Sequence, residues 1–351
     1  MAEAESYESK ECEMTSTTYG AMMMAGPGIA PVLNRRPMPK PGAGEAVVRV
    51  HASSMNYHDL VNLMGLLEGP WPRVPMSDGA GEVFAVGPDV TGISVGDRVI
   101  GAFHPGWLEG RPTKARKRVM PGDSCDGWLQ QYQTFPAAAL IKVPPHLSFT
   151  EAATLPCAGT TAWSGLVEGA TKAGSVVVTQ GTGGVSLYAL QLAKALGATV
   201  ILTSSSDSKL DFGKQLGADY GINYTTTPDW ENEVREITGG QGAEVVIDIG
   251  GAQTLGHSVR ATRMDGTVAI IGVLSGFGAA EISVADAMWN NIHLVGITVG
   301  SVQAHADLCA LVAAAKIVPP ISHTLGWDEI PEAMRVMQAG EHIGKITLEV
   351  R

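Results

Sequence analysis

Residues Val176–Leu210 read VVVTQGTGGVSLYALQLAKALGATVILTSSSDSKL, and this stretch decides the fold. VVVTQ is a β-branched apolar run of the length of a buried strand. Gly181-Thr182-Gly183-Gly184 interrupts it, after which Val185, Ala189, Leu192, Ala193 and Leu196 recur at helical spacing. Glycines at such a bend let the main chain approach a diphosphate, and the free N–H groups that open the helix favour its negative charge. Strand, glycine turn and helix in this order point to a dinucleotide site formed by Gly181, Thr182, Gly183, Gly184 and Val185. Ser186 stands where the common fingerprint has its third glycine.

The next strand, TVILT, carries the choice of cofactor. A site that prefers NAD places Asp or Glu at the end of this strand, where the carboxylate accepts from the ribose 2′-hydroxyl. Here stand Ser204, Ser205 and Ser206, followed by Lys209. Hydroxyls and an ammonium suit a 2′-phosphate that a carboxylate would repel, so the sequence predicts NADPH. Ser206 or Asp207 also reads as the cap of the helix SKLDFGKQLG, and capping is compatible with phosphate binding.

Outward from this unit, strands continue to alternate with helices as far as Ala315. VVIDIGG, TVAIIGV and IHLVGIT are strand-like, and AHADLCALVAAAK is helical. Alternation of this kind gives parallel βαβ units, so residues 148–317 are expected to form a doubly wound parallel sheet. From Thr18 to Pro145 the texture differs: short β runs such as EAVVRVHASS and GAGEVFAVGPDV are broken by Gly and Pro, as in an all-β barrel. The terminal helix PEAMRVMQAG and strand KITLEV are expected to rejoin that first unit. Residues 1–17 read as a flexible tail, giving domains at 18–147 with 318–351, and at 148–317.

Composition limits the function. Net charge is −11, which argues against a nucleic-acid partner, and no apolar run is long enough for a membrane span. RPTKARKR, Arg111–Arg118, concentrates five basic residues; it reads as a solvated loop or as a targeting or anion patch. Cys12, Cys125, Cys157 and Cys309 form no C-x-x-C pair. With an acidic, polar N-terminus in place of a secretory leader, reduced thiols in the cytoplasm are expected.

SDGAGEV (Ser77–Val83), VGDRV (Val95–Val99), LPCAGTTAW (Leu155–Trp163), QGTGGVSLYALQLAKALGA, LGADYGINY (Leu216–Tyr224) and the terminal GKITLEV resemble the medium-chain dehydrogenase/reductase superfamily, in its zinc-independent branch of quinone oxidoreductases and enoyl reductases. The resemblance spans nearly the whole chain after the tail. It implies an α/β protein with a GroES-like β-barrel catalytic domain and a Rossmann domain. In the zinc alcohol dehydrogenases of this superfamily three side chains hold a catalytic metal; their places here fall to Asn56, Ser77 and Cys157, with Asp78 beside the second. One thiol does not hold a metal that needs three protein ligands, and the four-cysteine lobe is absent. His51, His58 and His104 are the remaining candidates for another metal site, and scattered histidines are commonly ordinary polar residues; no metal is expected.

The resemblance places NYHD, Asn56–Asp59, beside the nicotinamide. It implies that Asn56 bonds near the nicotinamide or the substrate oxygen, and that Tyr57 and His58 are candidate proton donors; aromatic packing and simple surface exposure are the alternatives for these two. Asp59 ties backbone together. Thr161, Gly272, Val273 and Leu274 are expected to line the nicotinamide site, and Tyr224 to lie near the adenosine phosphate. Trp71, Trp107 and Trp289 are candidate pocket walls or plain packing, and the insertion Phe103–Trp128 is expected to shape the substrate entrance. Without a Lewis acid, hydride transfer favours an acceptor that spreads the developing charge, an enone or a quinone. The alternatives are zinc-free alcohol dehydrogenation or carbonyl reduction, and a non-catalytic NADPH-binding protein. A homodimer, paired through the edge strand at Ile292–Thr298, is also implied.

Overall fold

The computed structural model describes residues 17–276 and 278–351; the tail expected at residues 1–17 lies, apart from its last residue, outside them. The strands are β1 (Thr18–Met23), β2 (Val32–Pro37), β3 (Glu45–Met55), β4 (Asp78–Val86), β5 (Arg98–Gly101), β6 (Tyr132–Pro136) and β7 (Leu140–Lys142), then β8 (Val176–Gln180), β9 (Thr199–Ser204), β10 (Tyr220–Asn223), β11 (Ala243–Asp248), β12 (Thr262–Ile270), β13 (His293–Gly296), β14 (Ile321–Gly326) and β15 (Lys345–Glu349). The helices are α1 (Tyr57–Leu63), α2 (Phe149–Ala152), α3 (Thr160–Glu168), α4 (Gly184–Ala195), α5 (Asp207–Gln215), α6 (Trp230–Ile237), α7 (Leu255–Ala261), α8 (Val284–Trp289), α9 (Val302–Ala315) and α10 (Ile330–Ala339). A π-helical turn, Leu155–Gly159, leads into α3.

Strands β8 to β13 form one parallel sheet in the order β10-β9-β8-β11-β12-β13. Its central strands are continuous apolar runs because helices cover both faces: Val177, Val178, Val200, Ile201, Val246 and Ile247 have no exposed surface. The chain runs outward from β8 to β9 and β10, then crosses back to β11 on the other side of β8. This reversal opens a crevice beyond the C-terminal ends of β8 and β11, where ligands of such sheets bind.

Apart from the β1-β2 pair, the remaining sheet has the order β14-β15-β3-β4-β5-β7, with β6 also on β3. Trp128 fills its core; a Cβ on Gly101 would come within 1.9 Å of the indole, so only glycine fits there. The C-terminal β14 and β15 belong to this sheet, β15 pairing with β3 so that Ile346 lies opposite Met55. The two units meet where a Gly183–Gly344 bridge forms and the Gly344 N–H donates to the Thr182 carbonyl at 2.8 Å. Lys345, the first residue of β15, therefore lies against the glycine turn.

Candidate active site

The turn after β8 is built as an open cradle. Gly181 has φ +74°, Gly183 caps α4 without a side chain of its own, and a Cβ on Gly183 would meet nothing within 4 Å. The start of α4 thus has free space beside Gly183, which the approach of a diphosphate would require. Ser186 is fully buried and its hydroxyl donates to the Gln180 carbonyl. It ties helix to strand, which is why the third glycine can be dispensed with. Val185 is half-buried behind the turn.

At the far end of the crevice, Ser204 is buried, Ser205 is exposed, and the Ser206 hydroxyl caps α5 by accepting from the Lys209 N–H. The Lys209 ammonium reaches the Gly340 carbonyl at 3.2 Å. Asp207 accepts from Asn223 at 2.8 Å. Tyr224 follows β10, and its N–H donates to the Ser204 carbonyl, so the serines and the tyrosine share one edge. Gly272 packs on the next segment so tightly that a Cβ would lie 1.9 Å from the Ile249 carbonyl oxygen; Val273 and Leu274 follow, with Leu274 largely exposed. Thr161 is buried in the first turn of α3.

Around Asn56 the picture reverses. Its amide nitrogen donates to Asp78 at 2.8 Å, to Asp59 at 3.2 Å and to Ser77 at 3.3 Å. Its amide oxygen accepts from the Lys345 ammonium, which also donates to the Met55 carbonyl at 2.8 Å. Asp59 accepts from the main-chain N–H groups of Asn56 and Ser77 at 2.9 and 2.8 Å, tying α1 to the start of β4. Every polar atom of the Asn56 side chain is spent within the protein. Asp78 is fully buried, and burial pushes its carboxyl up to about 7 despite the Lys345 ammonium 4.0 Å away. The Lys345 charge pulls the carboxyl down, but by less than burial pushes it up.

The places of the three metal ligands are thus an amide, a hydroxyl and one thiol. Desolvation, followed by the Asp78 carboxylate, pushes the Cys157 thiol well above its usual range, whereas zinc takes thiolates. This donor set does not fit a catalytic zinc. Among the described residues, donor atoms close enough to share an ion occur only at Asp229, Glu231 and His257. There Glu231 is already bonded by Arg260 at 2.8 Å and by His257 at 2.6 Å, far along the chain from the crevice.

Other predicted positions separate. Tyr57 opens α1 with 41% of its surface exposed. His51 stacks on Phe149 at 4.4 Å, whereas His58 and His104 both pack on Phe103. Trp71 lies under the Arg73 guanidinium, Trp107 is buried in the insertion, and Trp289 stands 73% exposed on α8.

Two family models match the chain: an alcohol dehydrogenase GroES-like domain over residues 42–145 and a zinc-binding dehydrogenase over residues 184–314. A zinc-type alcohol dehydrogenase-like protein of Schizosaccharomyces pombe is 42% identical over 315 residues, covering 88% of this chain and 91% of that protein. The chain belongs to the medium-chain dehydrogenase/reductase superfamily. A Sinorhizobium meliloti crystal structure assigned to the alcohol dehydrogenases superposes on this superfamily member with a TM-score of 0.89 at 41% identity, over 96% of this chain and all of that one. An acryloyl-coenzyme A reductase of Sulfurisphaera tokodaii is 27% identical, over 94% of this chain and 99% of its own. This medium-chain dehydrogenase/reductase is a nicotinamide-dependent oxidoreductase. None of its described helices is long and apolar enough to cross a membrane.

Sequence reasoning missed Lys345. The signal was a lysine opening an otherwise apolar last strand, KITLEV, at a place where strands in this chain are buried.

Proposed function

We propose that the chain is a zinc-free, NADPH-dependent reductase of carbon–carbon double bonds conjugated to a carbonyl, or of quinones. The observation that carries this reading is the closed network of Asn56, Ser77, Asp59 and Asp78 around the Lys345 ammonium, at the place where zinc relatives hold their metal. With no Lewis acid to polarise a plain ketone, an acceptor that delocalises the incoming charge reacts more readily. A bound reduced nicotinamide supplies the hydride; the chain orients the acceptor and excludes water. The acryloyl-coenzyme A reductases among the relatives fit a conjugated acceptor. Direct carbonyl reduction is the second reading, favoured by relatives named as alcohol dehydrogenases.

For the cofactor, the absence of a carboxylate at residues 204–206 favours a 2′-phosphate, with Ser205, Ser206 and Lys209 as its holders. Asp207 is the nearest acid, and Asn223 occupies it. Incubating chelator-treated protein with a small enone and either NADPH or NADH tests both parts. Saturated ketone, formed faster with NADPH, is expected. Allylic alcohol, or activity that returns only with added zinc, overturns the reading.

We also propose a homodimer built on β13, one of the two edge strands of the parallel sheet, beside which Val284, Met288 and Trp289 are exposed. The strand spans His293–Gly296, shorter than the expected Ile292–Thr298. Sedimentation as a monomer at micromolar concentration removes it.

A further inference from the structure

The chain has a net charge of −11, yet five of its 24 Lys and Arg residues fall within positions 111–118 of the insertion. Crowding like charge costs free energy unless carboxylates answer it. Elsewhere they do: Arg36, Lys142, Lys194, Arg263 and Arg335 each hold an Asp or Glu. Among the described residues Arg111, Lys114, Arg116, Lys117 and Arg118 form no ion pair. Their segment is nevertheless folded on itself. The Lys117 and Arg118 N–H groups donate to the Thr113 and Ala115 carbonyls at 3.1 and 3.3 Å, and the Arg116 guanidinium donates to the Arg111 carbonyl at 2.7 Å. Arg111, Lys114 and Arg118 are exposed, and their charged ends bond nothing among the described residues.

Three contacts fix where this segment sits. Val302 donates to the Trp107 carbonyl at 2.8 Å, Gln303 donates to the Leu108 carbonyl at 3.0 Å, and the Lys117 ammonium donates to the Thr298 hydroxyl. Residues 297–301 directly follow β13, whose last residue, Gly296, lies opposite Ile270 at the end of β12, and the Ile297 N–H donates to the Ile270 carbonyl at 2.9 Å. They are therefore level with Ile271–Leu274, at the C-terminal edge of the parallel sheet, the side on which the crevice opens. They also touch the start of α3: a Cβ on Gly300 would lie 2.6 Å from the Ser164 hydroxyl and 2.8 Å from the Thr160 methyl group, next to Thr161.

The basic segment is thus fastened to the crevice edge on the β12–β13 side. Ser204 ends β9, four strands away in the sheet order, which is roughly 19 Å at the usual spacing between strands. The unpaired cations are therefore distinct from the serine edge assigned above to the cofactor. Beside Arg116 a groove of about 530 Å³, lined also by Leu108, Glu109, Val302 and Gln303, leaves room for an extended chain.

We propose that Arg111, Lys114 and Arg118 hold phosphate on the remote end of the acceptor, a conjugated acyl group carried on a phosphate-bearing tail. This rests on the reductase reading above. Guanidinium forks meet phosphate oxygens two at a time, and the lysine adds a point charge. Three free cations suit a multiply charged tail better than a single carboxylate. Contacts so far from the reacting carbons bind the ground state and the transition state alike, so they govern affinity for the acceptor. In an otherwise acidic chain they also draw an anion towards this edge of the crevice.

The test uses the full chain saturated with NADP⁺ or NAD⁺, whichever binds more tightly, so that the cofactor site is filled and no hydride moves. Crotonyl-coenzyme A and crotonyl-pantetheine present the same thioester with and without phosphates. By calorimetry in dilute buffer the first is expected to bind about tenfold more tightly. Salt at about 0.5 M should remove most of that difference, and the triple variant Arg111→Ser, Lys114→Ser and Arg118→Ser should bring the two thioesters within about threefold of each other. Equal affinities in the parent overturn the proposal. A preference that the triple variant retains puts the phosphates elsewhere and overturns it too. Crotonyl-4′-phosphopantetheine, with one phosphate, identifies the tail: binding like the coenzyme A ester assigns the contact to that single phosphate, binding like the pantetheine ester assigns it to the nucleotide end, and both results sustain the segment. A preference lost in the triple variant of a protein that reduces neither thioester with NADPH or NADH sustains it as an anion site and overturns the reductase reading instead.

Discussion

The glycine turn at 181–184 and the polar knot at Asn56 lie on either side of Lys345, yet they solve opposite problems. The turn opens α4 with main-chain N–H groups and has room for a Cβ at Gly183. The knot is complete already: Asn56, Asp59, Ser77, Asp78 and Lys345 answer one another's hydrogen bonds. An open site binds, whereas a closed one positions and stabilises. On the function proposed above the cofactor belongs to the first, whereas the second stands where zinc relatives hold their metal and spends its polar atoms internally.

If the knot is structural, breaking it should reduce stability first. Lys345→Ala removes the only cation from a set with a fully buried carboxyl, and removing one partner of a buried charge pair typically costs about 3–5 kcal/mol. Asp78 limits the loss by taking up a proton, so about 3 kcal/mol is expected at pH 8 and less at pH 5, read by urea denaturation. A variant as stable as the parent would mean that the knot contributes nothing.

Asp78→Asn sharpens the same comparison through pH. In the folded chain this carboxyl sits at about 7 against 3.8 for the unreacted group. The folded state therefore binds the proton more tightly than the unfolded one, and the stability Asp78 contributes is full below pH 4 and is lost as pH rises through 7. The parent should lose roughly 2–4 kcal/mol across that window from this group, and the variant should lack that slope. Both Asp78 oxygens accept, one from Asn56 and one from the Cys157 N–H, so the NH2 of the new amide faces a donor in either orientation and the variant carries a constant offset; the slope is the quantity to measure.

The same contrast decided what could be read in the sequence. The parallel sheet was legible because its strands are apolar without interruption and its helices periodic, local signals that tertiary packing does not change. The glycine turn was legible because its function lies in the main chain, which glycine spacing reports. The knot was only half legible. Asn56, Ser77 and Asp78 stood out as departures from a metal-binding pattern, but the cation that completes the set comes from β15, almost three hundred positions further on, and its pairing with β3 is a long-range fact. The burial of His104 was not legible for the same reason: it depends on an insertion whose path no periodicity describes. Ser186, which looked like a flaw in the fingerprint, proved to be a hydrogen-bonded replacement for the missing glycine.

Gly183→Ala gives the smallest effect on folding and the clearest separation of the two regions. Gly183 has φ −78°, an ordinary value for alanine, and the added Cβ meets nothing in the protein. Stability should stay within about 0.5 kcal/mol of the parent. The methyl group nevertheless occupies the space through which a diphosphate would approach the first N–H groups of α4, so cofactor affinity measured by calorimetry should fall about tenfold or more. Lys345→Ala lowers the melting curve, whereas Gly183→Ala should leave it in place and move only the binding isotherm. Should Gly183→Ala bind cofactor as tightly as the parent, the free space beside the turn is not where the diphosphate sits, and the open half of the comparison fails while the closed half stands.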